Sequence, residues 1–392
     1  MKQAVILAAG EGQRLRPFTV TKPKAMLSIA GKPILRYVVE ALAQNGIRQI
    51  VIVVGYKREQ VFDYMGDGEQ FGVNIVYITQ ERQLGTAHAL AQAQDAVQNE
   101  FLVLPGDNLI RAGTIARFVA SQPNAVLVTK IANQARYGVV ITEDGRVKDI
   151  MEKPKEAKGN TINTSIYAFN RGIFDFIGAN LDIPDVLNDL LARGYAISAQ
   201  ETDGLWLDVV YPWDILSLNE AILRQIPPSL GGSIEAGAAV KGLVSVGTDT
   251  VIRSGSYIVG PVVIGDNCEI GPNVSILPST SIGDNVVIAS LSEIKNSVIG
   301  DDVTIGPGSI IQDSVIDDGC VIKGRFTACS GQAEVRVNDD YHLLATVGAM
   351  LGAGCHLESS VVAQPGVILG NYSQVQAMKM ISGRMPDRSL VF

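Results

Sequence analysis

Only three histidines and four cysteines occur in the 392 residues. Cys268, Cys320, Cys329 and Cys355 fall in no Cys-x-x-Cys or Cys/His spacing, which argues against structural zinc and for free thiols in a reducing, cytoplasmic setting. Positive charge is scarce too: the formal net charge is −8, where a general nucleic-acid or anionic-membrane binder needs a basic surface. Any cations that matter are therefore expected in one local pocket. No apolar run reaches the length of a membrane-spanning helix, and the stretch within MKQAVILAAGEGQR is too short for a signal core. Charged residues make up 18% against 47% hydrophobic, the balance of a packed protein.

The length exceeds what one hydrophobic core supports, so two domains are expected, 1–226 and 227–392. In the first, AVILAA, QIVIVVG, VNIVYIT and FLVLPGDN alternate with amphipathic stretches at 34–45, 59–65 and 86–94, the pattern of βαβ units in a mainly parallel Rossmann-like α/β sheet. Pro227, Pro228, Gly231 and Gly232 then form a hinge.

Beyond the hinge, aliphatics recur every six residues from Val246 through Ile252, Ile258, Ile264, Ile270, Ile276, Ile282 and Ile288 to Ile294. The register slips by one before Ile299, Ile305 and Ile311, and again before Ile316 and Ile322. A period of six fits triangular coils, each flat face taking one hexapeptide with its aliphatic turned into the prism. Gly or Asp follows the aliphatic where the chain turns a corner, as in IGDNCE and IGDNVV. Cys268, Cys320 and Cys355 stand four places after a frame aliphatic and read as interior thiols. Between Lys323 and Thr346 the frame is lost, either to a loop folded over a site or to a degenerate coil; it returns at Leu351, Leu357, Ala363, Leu369 and Val375.

The first strand empties into LAAGEGQRLRPFTVTKPKAML. Gly10 and Gly12 let backbone amides approach phosphate oxygens, and Arg14 and Lys24 place two cations downstream of the turn. The segment lacks the Gly-Lys-Ser/Thr of a P-loop and the third glycine of the dinucleotide fingerprint. It resembles the signature of the sugar nucleotidylyltransferases, LAAG-x-G-x-R-L-x-P-x-T followed by P-K. QLGTAHAL at 83–90, PGDN at 105–108, YG at 137–138, EKP at 152–154, NTSIYAF at 163–169 and LWLDVVYPWD at 205–214 agree in order. With the hexapeptide repeat, the layout is similar to the bifunctional sugar-1-phosphate nucleotidylyltransferase/acetyltransferases and the long glucose-1-phosphate thymidylyltransferases, which implies a C-terminal left-handed parallel β-helix.

That resemblance implies in-line attack of a sugar-1-phosphate oxygen on the α-phosphorus of a nucleoside triphosphate, with pyrophosphate leaving and no covalent enzyme intermediate. Arg14 and Lys24 would hold the phosphates, and Asp107 and Asp208 would chelate Mg²⁺. Leu7, Ala9, Gly10 and Gly12, with Gln80, Gly85 and Thr86, would contact the nucleotide, and Gly138, Glu152, Lys153 and Asn163 the sugar phosphate. Outside this context Asp107 reads as a helix cap and Asp208 as a surface carboxylate. His88 reads as a packed or solvated helix residue, and Trp206 and Trp213 as core.

Left-handed β-helices often carry acyl transfer from acetyl-CoA at trimer clefts, with a histidine as base. The expected Asn-Leu-Arg-His-Asp-like block corresponds to Lys323-Gly324-Arg325-Phe326-Thr327, with Phe326 where histidine is expected; His342 and His356 are the substitutes. The helix then reads as a homotrimerisation scaffold. Three readings stay open: a nucleotidylyltransferase with a structural helix, one that also acetylates an amino-sugar-1-phosphate, and an inactive regulatory homologue. dTTP and UTP fit alike, as do glucose-1-phosphate and N-acetylglucosamine-1-phosphate.

Overall fold

A computed structural model describes residues 1–131, 137–152 and 159–392. The chain divides into two compact units, one of 1–11, 23–26 and 34–208, the other of 12–22, 27–33 and 209–392.

The first unit is built on a nine-stranded sheet. In space the strands run Asn74–Thr79, Gln49–Val54, Gln3–Ala8, Glu100–Pro105, Thr161–Asn170, Ala125–Lys130, Ser198–Thr202, Arg146–Met151 and Val139–Glu143. The first four are mutually parallel. Thr161–Asn170 is antiparallel to both its neighbours, because it returns after the hairpin of 139–151, so the sheet is mixed with a parallel half. The unbroken apolar runs have a simple cause: Ala4 and Ile6 enter one buried layer with Leu35 and Leu42, and Val5 enters the other with Leu90. Gly10, Gln80 and Asp107 lie just past the carboxyl ends of parallel strands, where open α/β sheets form ligand crevices.

In the second unit the chain winds into a left-handed parallel β-helix of three flat sheets, beginning at Ser229–Leu230 and ending at Leu390–Val391. Ile252, Ile270, Ile288, Ile305, Ile322, Leu357, Val375 and Val391 stack directly on one another. The inward aliphatics form one continuous core, and Cys268, Cys320 and Cys355 lie inside it as expected. Burying an isoleucine there contributes about 2–3 kcal/mol.

Aspartates close one corner of four successive coils. Asp266 Oδ1 accepts the Thr248 amide at 2.6 Å, Asp284 that of Asp266 at 2.7 Å, Asp301 that of Asp284 at 2.8 Å, and Asp318 that of Asp301 at 3.1 Å. This ladder is the physical reason for the repeated IGD triplet.

The apparent frame loss after Lys323 begins later than the sequence suggests, because the coil runs on through Thr327–Ala328. Phe326 is fully buried inside the prism, and Ala328 stands in the frame six after Ile322, stacked between Ile311 and Ala363. The interruption is an antiparallel hairpin, Gly331–Val347, inserted before Met350–Leu351 resumes the coil. A small alanine in an aliphatic slot hid the continuing coil from a search for large aliphatics. Both register slips are one-residue deletions at the same corner that holds this hairpin.

One face of the coil is buried on its outside as well: Ser281, Val298, Val315, Met350 and Ile368 are covered. Helix Asp214–Leu223 packs on Thr280–Ile282 and Val298–Ile299 of that face, and Asn219 Nδ2 donates to Ser279 O at 3.0 Å. Residues 209–226 thus belong to the second compact unit, ahead of the coil start near the expected hinge.

Candidate active site

Strand Trp206–Asp208 pairs antiparallel with Asn108–Ile110, setting Asp208 opposite Asn108 and so beside Asp107. Both carboxylates face one ammonium: Lys24 Nζ contacts Asp107 and lies 3.5 Å from Asp208 Oδ1. Burial alone would lower the Lys24 pKa, but Asp107 and Asp208 outweigh it and raise it. The cation between them shows that the pair can neutralise positive charge. Among the described residues no third His, Cys, Asp or Glu completes a metal cluster. Two carboxylates suit Mg²⁺, which takes one or two from protein and the rest from phosphate and water.

On the nucleotide side, a Cβ at exposed Gly10 would meet nothing, leaving its backbone open to approach. The Leu7 carbonyl accepts the Gly106 amide at 2.8 Å and the Ala9 carbonyl that of Tyr56 at 3.3 Å, tying this turn to its neighbours. Gly85 has φ +149°, and a Cβ there would sit 2.3 Å from Leu181 O, so only glycine fits. Thr86 is already engaged: its amide and hydroxyl donate to Asp182 Oδ1 at 3.0 and 3.2 Å, and its hydroxyl accepts the Ile183 amide at 3.0 Å. Two helices, Thr86–Gln92 and Ile183–Ala192, thereby cap each other. Gln80 is buried, and its Nε2 meets Gly85 O at 3.1 Å and His88 Nδ1 at 2.8 Å. His88, read from the sequence as a packed or solvated helix residue, contacts the candidate Gln80; its place two helical residues after Thr86 gave no signal of that partner.

The sugar-side candidates also converge. A Cβ on Gly138 would lie 3.0 Å from Glu152 Oε2 and 3.8 Å from Asn163 Cβ, and the Asn163 amide donates to Gly138 O at 2.9 Å. Asn163 is held at both ends: Nδ2 donates to the Tyr167 hydroxyl at 2.8 Å, and Oδ1 accepts the Ser165 amide at 2.9 Å. Tyr137 packs edge-on against the buried Trp206, ring centroids 5.3 Å apart. Lys153 lies outside the described residues.

Arg14 and Gly12 belong to the second unit. Arg14 is exposed on the single turn Gln13–Leu15, whose Leu15 amide donates to Gly12 O at 2.9 Å. Segment 12–22 is tied to the coil: Asn371 Nδ2 donates to Pro17 O at 3.0 Å, and Lys22 reaches Asp317 and Asp318.

Phe326 points into the prism, where a histidine would face no substrate, so its identity does not bear on acyl transfer. His342 packs on Tyr211 and Trp213 at 4.3 and 5.5 Å between ring centroids, and His356 Nε2 lies 3.1 Å from Glu358 Oε1. No described helix is long and apolar enough to cross a membrane.

Known proteins match this architecture along its length. A nucleotidyl transferase family model matches residues 3–225, and a GMPPB C-terminal domain model matches 258–385. The bifunctional protein GlmU of Methanococcus maripaludis is 32% identical over 409 residues, covering 99% of this chain and 97% of that protein. Glucose-1-phosphate thymidylyltransferase of Streptomyces antibioticus is 34% identical over 311 residues, 76% of this chain and 86% of its own. A solved UDP-glucose pyrophosphorylase, complexed with UDP-glucose, shares the fold with a TM-score of 0.51 at 24% identity, over 57% of this chain and 99% of its own. With a family model over more than half its length and a relative aligned almost end to end, the chain belongs to the nucleotidyl transferase family and is a sugar-1-phosphate nucleotidyltransferase.

Proposed function

We propose that the chain transfers a nucleoside monophosphate from UTP or dTTP to glucose-1-phosphate or N-acetylglucosamine-1-phosphate, with release of pyrophosphate. The observation that carries this reading is the convergence of Asp107 and Asp208 on Lys24. Two carboxylates 101 positions apart in sequence, held by paired strands around one cation, are suited to polyphosphate chemistry.

Asp107 and Asp208 would hold Mg²⁺, which when bound supplies positive charge to the phosphate oxygens. Lys24 then turns its ammonium from the carboxylates to the triphosphate. Arg14, by its place in the motif, offers a planar fork to phosphate oxygens. Gln80 and Gly85 contact the base, while the Gly10 backbone lies against the nucleotide. Gly138, Glu152 and Asn163 orient the sugar so that its phosphate oxygen attacks in line. Thr86 supports this wall through Asp182 rather than touching the base. The β-helix serves as a scaffold, which we take to be homotrimeric.

Pyrophosphate release from UTP and dTTP with a panel of sugar-1-phosphates and Mg²⁺ tests the reading. Turnover with at least one pair is expected; none with any pair would refute it. Thiol release from acetyl-CoA with glucosamine-1-phosphate is expected to be absent. Sedimentation equilibrium checks the trimer.

A further inference from the structure

Gln80 follows the strand Asn74–Thr79, its amide donating to Val54 O at 2.8 Å, and its side chain is buried beside the helix Thr86–Gln92. Nε2 lies 3.1 Å from Gly85 O and 2.8 Å from His88 Nδ1. The two ends of a carboxamide look alike, but a backbone carbonyl only accepts, so Gly85 O settles which end is nitrogen. The second Nε2 hydrogen goes to His88 Nδ1, which must then carry a lone pair. His88 is thereby neutral, with its hydrogen on Nε2. Both donor hydrogens of Gln80 are committed. Oε1 enters no hydrogen bond among the described residues, and it is an acceptor only.

From this geometry we infer that His88 is a positioning residue that turns Gln80 into an acceptor-only reader of the nucleobase, selecting uracil or thymine over cytosine. The inference rests on the reading of Gln80 as a base contact given above. Uracil and thymine present an N3–H donor, which Oε1 accepts; cytosine has a lone pair at N3 and would face acceptor with acceptor. Flipping the amide to suit cytosine would set Oε1 against Gly85 O and force His88 into its other tautomer, losing the Gly85 hydrogen bond at a buried site. Sites built on such pairing discriminate strongly, because the wrong partner leaves a buried polar group unmatched.

The test compares kcat/KM for UTP, dTTP and CTP in the full-length enzyme and its variants. The parent enzyme should favour UTP or dTTP over CTP. In His88→Phe the ring stays and the acceptor goes; the preference over CTP should fall on the order of tenfold, mostly through a higher KM for UTP. His88→Asn, which returns an acceptor near Nδ1, should recover most of it. Gln80→Leu should also abolish the preference. If His88→Phe keeps the parental ratio while Gln80→Leu loses it, His88 does not orient the amide and the inference falls. If Gln80→Leu keeps the ratio as well, it is the base-contact reading of Gln80 that fails. Two further measurements leave Gln80 and His88 unchanged. N3-methyl-UTP should bind the parent enzyme at least tenfold more weakly than UTP, and equal binding overturns the inference. ¹⁵N spectra of the three histidines should show one neutral ring protonated at Nε2 and insensitive to loss of either of the other two; its absence overturns it equally.

Discussion

Lys22 Nζ lies 2.9 Å from Asp317 Oδ1, joining the start of the chain to a coil corner 295 residues later. Asp318 accepts from the same ammonium at 2.6 Å, while the other Asp317 oxygen is buried without a hydrogen bond among the described residues. Burial pushes the Asp317 carboxyl up even with Lys22 beside it, so this corner depends on its cation. Lys22→Met leaves a buried carboxylate unpaired and should destabilise the protein by about 3 kcal/mol, read as a lower urea midpoint. Asp317→Asn should cost less, because it removes the charge along with the partner.

The same pair fixes an alkaline limit. Burial would lower the Lys22 pKa, but Asp317 and Asp318 prevail and raise it above that of a free lysine, about 10.4. A raised folded pKa means that the folded state binds the proton more tightly. The contribution is therefore fully present below about pH 10.4 and is lost as pH rises further. Thermal unfolding from about pH 9 to 11.5 should show a falling midpoint in the parent chain and a shallower fall in Lys22→Met.

Asp107→Asn and Asp208→Asn should each lower pyrophosphate release by about a hundredfold or more while leaving the circular dichroism spectrum unchanged. Each removes one of two carboxylates that face Lys24. Activity equal to the parent in the double variant would contradict the metal assignment.

Thr86→Val removes the hydroxyl that joins two helix starts. A loss of about 1–2 kcal/mol in stability is expected, with a smaller change in nucleotide KM than Gln80→Leu produces. A large KM effect at full stability would restore Thr86 as a direct contact.

Phe326→His places a polar ring inside the coil, where Phe326 is fully buried. About 3 kcal/mol of stability should be lost, and thiol release from acetyl-CoA should not appear. Differential scanning calorimetry and a thiol assay check the two halves.

Much of this was legible because two signals in the sequence are repetitive or local. The six-residue frame from Val246 to Ile322 reports on the coil directly, since each aliphatic must face the same interior. The glycine turn and the two aspartates sit in short motifs at strand ends. What escaped depends on tertiary pairing. Ala328 keeps the frame with a methyl group, so the coil at Phe326 passed for a break. The His88 contact with Gln80 spans a loop and a helical turn, and sequence has no period that marks it. The Lys22 partners left one trace: Asp317 replaces the glycine of the preceding corners, Gly265, Gly283 and Gly300, so that IGD becomes IDD. Thr86 matched the motif by position, yet its side chain is taken by Asp182, which lies 96 residues away.

The corner between Ile294 and Ile299 is one residue short, that between Ile311 and Ile316 likewise, and the one after Ala328 carries the hairpin Gly331–Val347. From Val246 onward the other two corners of each coil keep six residues from aliphatic to aliphatic. Length changes are thus absorbed along a single seam, and the interior stack does not register them. Foreign peptide grafted at that seam, in the exposed hairpin turn between Asn338 and Asp339 for instance, would leave each rung above and below in place, whereas the same graft at an aspartate corner would cut the ladder that runs from Thr248 to Asp318.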